Sequence, residues 1–240
     1  MIFVDRPGAG YSERGSKEYA HPARQGELIA GLMAQLDIER AVIVGHSLSG
    51  AIAAAMAIEH PEKVAGLVFL APATHVWPGG GVTWYYDITN FPLLGRLFSE
   101  TLAVPFGQLL YRSAVKGVFR PNRVPPDYDE RSATKLILRP ANFRYNARDV
   151  GALYGAVEKM SQRYGEITAP AVIISGDSDD VVSTEIHSTS LNRDIAGSRL
   201  VVLAGMGHTP AYTATGRVIA EIEELNRQIS DRRLPAAGIE

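Results

Sequence analysis

Cysteine is absent from the 240 residues, which excludes disulfides, thiolate catalysis and cysteine-ligated zinc. An excess of charge is missing too. With 24 Lys and Arg against 26 Asp and Glu, the formal net charge is −2, which argues against nucleic acid or an anionic membrane surface as the main partner. No apolar run is long enough to span a bilayer, and the first residues do not read as a signal peptide. Internal repeats and low-complexity tracts are lacking. No histidine or carboxylate spacing suggests a metal site, so neither a metal nor a cofactor is expected. What remains is 46% hydrophobic and 21% charged, the composition of one ordinary globular domain with room for an inserted subdomain. None of this fixes an oligomeric state. The compartment also stays open, with the cytoplasm as the default.

The stretch around which the chain is organised begins at Ala41-Val42-Ile43-Val44, which reads as a strand buried on both faces. Gly45-His46-Ser47-Leu48-Ser49-Gly50 then forms a turn, and the small and apolar residues to Met56 read as a helix packed on that strand. Further strands are expected at Ile2–Asp5, Ala65–Leu70, Ala171–Ser175 and Ser198–Leu203. Helical spacing recurs at Leu28, Ile29, Leu32, Met33 and Leu36, and again at Val218, Ile219, Ile222, Leu225 and Ile229. Strands alternating with helices predict an α/β fold, a mostly parallel sheet with helices on both faces. Past Asp231 the tail reads as frayed.

Three residues each end an expected strand: Ser47, an aspartate in Gly176-Asp177-Ser178-Asp179-Asp180, and His208 in Gly205-Met206-Gly207-His208. Open α/β sheets place their chemistry at such strand ends. A serine hydroxyl needs a base to remove its proton during attack, and an imidazole suits that role near neutral pH. The residues alone leave Asp177, Asp179 and Asp180 open. His46 is expected to pack and hydrogen-bond locally. His21, His60 and His187 look exposed, and His75 carries no signal.

These motifs, together with Asp5-Arg6-Pro7-Gly8-Ala9-Gly10-Tyr11-Ser12, resemble the α/β-hydrolase family. The turn at Ser47 is similar to its nucleophile elbow in the looser small-x-Ser-x-small form, with Ser49 where the strict pattern has glycine. The resemblance implies Ser47 as nucleophile, His208 as base and Asp179, the second aspartate of its turn, as the acid orienting His208. The Leu48 N–H, at a helix N-terminus, would donate to the oxyanion. It implies a cofactor-independent serine hydrolase acting on a small-molecule ester-type substrate, with carboxylesterase or lactonase ahead of C–C bond hydrolase or perhydrolase. Serine at the nucleophile argues against the dehalogenase and epoxide hydrolase branches.

Residues 1–71 and 168–240 are expected to form the core, and 72–167 a helical cap. Within the cap, Trp77, Trp84, Tyr85, Tyr86, Phe91, Phe98, Phe106, Tyr111 and Phe119 make the segment dense in aromatics. Its apolar faces are Leu93, Leu94, Leu97 and Phe98; Phe106, Leu109, Leu110 and Ala114; and Val150, Leu153, Tyr154 and Val157. The family carries three further strands ahead of the one expected at Ile2–Asp5, and a His-Gly loop that donates a second oxyanion N–H. The resemblance therefore implies an N-terminally truncated version of a longer hydrolase, with any targeting segment ahead of residue 1. An inactive truncated scaffold or a binding module is the expectation from another class.

Overall fold

The computed structural model describes residues 1–79, 89 and 91–233. Four strands, β1 (Ala41–His46), β2 (Val64–Leu70), β3 (Ala171–Gly176) and β4 (Arg199–Leu203), form one parallel sheet in that spatial order. The described helices are α1 (Pro22–Gln35), α2 (Leu48–Glu59), α3 (Pro92–Phe98), α4 (Val104–Phe119), α5 (Tyr128–Ser132), α6 (Pro140–Met160), α7 (Ser190–Asp194), α8 (Pro210–Thr213) and α9 (Thr215–Arg233).

Side chains alternate across the sheet, and each face has its own core. Leu67, Phe69 and Ile173 meet Met33, Met56, Leu153, Val157 and Leu191 on one side. On the other, Val68, Leu70, Val172, Ile174 and Val201 meet Val218 and Leu225 of α9. Helices thus cover both faces. β2 and β3 are buried along their whole length, as near-continuous Val, Ile and Leu runs require. β1 departs from its expected double burial: it lies at the margin of the sheet, and Val44 is 48% exposed.

The strand expected at Ile2–Asp5 does not form. Met1 to Val4 are exposed and join no strand among the described residues. The loop behind them has another anchor. Arg6 Nη1 donates to Gln25 of α1 at 2.8 Å and to Asp149 of α6 at 2.9 Å, which draws the segment toward those helices. Arg14 reaches the same carboxylate at 2.6 Å, with both side chains 3% exposed. Asp149 therefore pairs with two guanidinium groups, that of Arg14 buried and that of Arg6 21% exposed. Replacing Asp149 with Ala strands both charges, and we expect a loss of about 3–5 kcal/mol in urea denaturation. Replacing Arg14 and Asp149 together by apolar residues should be milder, because Arg6, 21% exposed, keeps Gln25 and water as partners.

The described part of the segment expected as a cap is helical, and its last helix also packs on the main core. Leu153, Ala156, Val157 and Met160 of α6 belong to the main core. Leu93, Leu94 and Leu97 of α3 are 85%, 61% and 60% exposed, and Leu109 of α4 is 77% exposed. Among the described residues those two faces look outward. Tyr111 and Phe119, from the opposite side of α4, are buried. Trp84, Tyr85 and Tyr86 lie outside the described residues. α9 runs through Asp231 to Arg233, so the expected fraying does not begin at Asp231.

Candidate active site

Ser47 joins the end of β1 to α2 with φ 53° and ψ −122°, a region that non-glycine residues avoid. Such strain persists only where the surroundings over-determine it. Here the Ser47 N–H donates to Leu70 O at 3.0 Å, and its carbonyl accepts from Gly50 N at 2.9 Å and Ala73 N at 3.0 Å. A side chain at Gly45 would run into the Ser49 carbonyl. One at Gly50 would put its Cβ 2.5 Å from Pro72 Cβ, so that glycine brings α2 against the β2 exit. The sharp turn is therefore built by the residues around Ser47. Leu48 opens α2, where the first N–H groups have no acceptor within the helix.

Asp179 and His208 come together. His208 Nδ1 stands 2.8 Å from Asp179 Oδ2, with side chains 5% and 0% exposed. The other carboxylate oxygen, Oδ1, accepts the N–H groups of Val181 at 2.8 Å and Val182 at 2.9 Å. This leaves Oδ2 for the imidazole. Asp177 does different work: its Oδ1 accepts from Gly205 N at 2.7 Å, tying the β3 exit to the loop that carries His208. Asp180 faces solvent.

No hydrogen bond joins the Ser47 hydroxyl to His208 among the described residues. His46, the residue before Ser47, joins this turn to the His208 loop: its Nε2 donates to the His208 carbonyl at 2.7 Å and its ring centroid lies 4.9 Å from the His208 ring. Enclosure by protein and the neighbouring imidazole both lower the pKa of His46, although an open edge to water limits the effect. Serine–histidine contacts of this kind are commonly loose without substrate and tighten on binding.

Asn122, in the turn after α4, brackets the His208 loop. Its Nδ2 donates to Gly205 O at 3.0 Å and its Oδ1 accepts from Gly207 N at 2.9 Å. Gly207 packs so tightly on the Arg120 carbonyl that any Cβ would collide with it. Nothing in the sequence pattern marks Asn122.

The other histidines divide. His21 caps α1 through Nδ1, which accepts from Ala23 N at 3.3 Å, and is half-buried, as is His60. His187, expected at the surface, is 4% exposed. A four-residue step to buried Leu191 was the signal that could have placed it inside. His75 pairs with Asp194 of α7 at 2.9 Å.

Burial, reinforced by His75, pushes His187 down to about 4. A base whose folded pKa lies below its unfolded one stabilises the fold fully above about pH 6.5, and that contribution fades as pH falls toward 4. We therefore expect roughly 2–3 kcal/mol of stability to be lost between pH 7 and 4 from this group. Urea midpoints at the two pH values, with a His187→Asn variant showing a smaller drop, check it.

A cavity of about 490 Å³ opens elsewhere, between the Asp5–Tyr11 loop and the Ser132–Asp149 region. Ser47, Asp179 and His208 do not line it, so it is not where an acyl group would meet Ser47. No described helix is long and apolar enough to cross a membrane.

Comparison with known proteins agrees with this architecture. The model of the alpha/beta hydrolase fold family matches residues 1–215. The chain is 26% identical over 210 residues to a 2-hydroxy-6-oxononadienedioate/2-hydroxy-6-oxononatrienedioate hydrolase of Cupriavidus pinatubonensis, covering 87% of this chain and 69% of that protein. It is also 26% identical over 221 residues to a 2-hydroxy-6-oxo-6-phenylhexa-2,4-dienoate hydrolase of Comamonas testosteroni, covering 87% and 70%. The chain thus spans about two thirds of the length of such relatives. Among solved structures, an enol-lactonase from Burkholderia xenovorans superposes with a TM-score of 0.69 at 20% identity, covering 92% of this chain and 78% of that one. On the family match and the shared fold, the chain belongs to the alpha/beta hydrolase fold family, and the two relatives described above, each matching 87% of it, are named hydrolases.

Proposed function

We propose that the chain is a serine hydrolase working by acyl transfer, with Ser47 as nucleophile, His208 as general base and Asp179 as the group that orients it. The observation that carries this reading is the strained Ser47 at a strand–helix turn, with a buried Asp179–His208 pair whose loop meets the neighbouring His46. Asp179 Oδ2 holds the proton of His208 on Nδ1, so Nε2 is free to take a proton. Ser47 Oγ adds to the substrate carbonyl while its proton passes to His208. The carbonyl electrons move onto oxygen, opposite the Leu48 N–H. Collapse expels the leaving group, which takes the proton from His208 and leaves an acyl-serine. Water, deprotonated by His208, then releases the acid and restores Ser47.

Carboxylic esters and lactones are the first substrate class for this machinery, and the likeness to an enol-lactonase supports it. The second reading, hydrolysis of a C–C bond in a 2-hydroxy-6-oxodienoate, is favoured by two relatives named for such substrates. It uses the same serine but needs the leaving carbon protonated. The Ser–His–Asp set is common to both, and specificity resides in the residues around it.

The test is fluorophosphonate labelling of the purified chain, with site mapping and a Ser47→Ala control. A p-nitrophenyl ester and the yellow 2-hydroxy-6-oxo-6-phenylhexa-2,4-dienoate are then followed in parallel. Labelling at Ser47, abolished in the control, is the expected outcome. A folded chain that takes no label overturns the reading in favour of a scaffold.

A further inference from the structure

The backing of Ser47 leads to a residue that the proposed chemistry does not use. Ala73 N donates to the Ser47 carbonyl, so the strand exit after β2 holds the turn from behind. The next two amides, Thr74 N and His75 N, both point at one atom, Nδ1 of His187, at 3.2 and 3.1 Å. The Thr74 hydroxyl donates to the His187 carbonyl at 3.2 Å, and Tyr164 Oη donates to the Thr74 carbonyl at 2.7 Å. The Thr184–Thr189 turn bearing His187 comes five residues after Asp179. One side chain thus ties the segment that backs the nucleophile to the segment that carries the acid.

An imidazole nitrogen receiving two N–H groups has no proton of its own, so the ring is neutral with its hydrogen on Nε2. Thr74 is fully buried and His187 nearly so, leaving no water to replace a lost acceptor. We propose that His187 is a positioning residue: its Nδ1 fixes Thr74 and His75, and through them the Ala73–Ser47 bond that sets the nucleophile. This rests on Ser47 being the nucleophile. The groups facing the ring are His75 and Trp77 from the β2 exit, and Asp179 and His208 from the site. Burial is the largest influence against charge on His187; the two histidines add to it and Asp179 opposes it.

The test compares wild type, His187→Asn and His187→Leu at pH 7. Asparagine offers an Oδ1 close to where Nδ1 stands, whereas leucine fills the space with no acceptor. Two rates are read in each: amide exchange at Ala73 by ¹⁵N NMR, and fluorophosphonate labelling of Ser47. We expect His187→Leu to exchange Ala73 about tenfold faster and label about tenfold more slowly, with His187→Asn within about threefold of wild type in both. A leucine variant that matches wild type in Ala73 exchange, or an asparagine variant no better than leucine, overturns the proposal. If the wild type takes no label, the reading of Ser47 fails while Ala73 exchange still decides the role of His187. Should His187→Leu not fold, the ¹⁵N shift of His187 Nδ1 in the wild type decides instead. An unprotonated nitrogen supports the proposal, and a proton there overturns it.

Discussion

Replacing Ser47 with Ala lowers the rate of hydrolysis by about 10⁴–10⁶-fold, and adding His208→Ala lowers it no further. The two groups act on one proton. Once the serine hydroxyl is gone, there is nothing for His208 to deprotonate. Once the imidazole is gone, the hydroxyl keeps its proton at neutral pH. Removal of either therefore carries nearly the whole penalty. Steady-state rates on a p-nitrophenyl ester for the two single variants and the double variant make the measurement. If the double variant falls by the product of the single losses, the two residues act independently and the proposed roles fail.

Asp179→Asn is expected to cost about 10⁴-fold in kcat with little change in KM or stability. The reason lies in the two N–H groups of Val181 and Val182 that converge on Oδ1. An asparagine here must turn its carbonyl oxygen toward those donors, which places its NH₂ against His208 Nδ1. Donating to Nδ1, it drives the ring proton onto Nε2, the nitrogen that must receive the Ser47 proton. The base is present but blocked. Kinetics of Asp179→Asn beside Asp179→Ala distinguish this from simple loss of charge: alanine, which imposes no wrong tautomer, should be no worse than asparagine.

Much of this was legible in the sequence, for physical reasons that differ from place to place. The apolar runs of β2 and of β3 as far as Ile174 announce strands buried on both faces because nothing polar interrupts them. Gly45 and Gly207 are legible because their spacing around Ser47 and His208 matches a family pattern, and the structure shows backbone where each side chain would have been. Ile2–Asp5 has the same apolar look as a strand, yet strand formation needs a partner, and Arg6 anchors that segment to Asp149 and Gln25 instead. Leu93, Leu97 and Leu109 show helical spacing, which predicts a helix correctly but does not say whether the apolar stripe is covered. Asn122 and His187 were invisible in that role. Their bonds go to backbone atoms 83 to 113 positions away, and no local pattern records such a contact.

The order of the strands bears on how the chain reaches this state. β1 and β2 are near neighbours in sequence, with α2 between them, and can zip together early. β2 pairs with β3 from Leu67 opposite Ala171, across an excursion of more than a hundred residues. Closing so large a loop is slow, and parallel pairing rewards it late. Until then the far edge of Val64–Leu70 is a bare, wholly apolar template. Refolding from denaturant should therefore run best dilute and cool, with yield falling as concentration rises, because two such edges can find each other before β3 arrives.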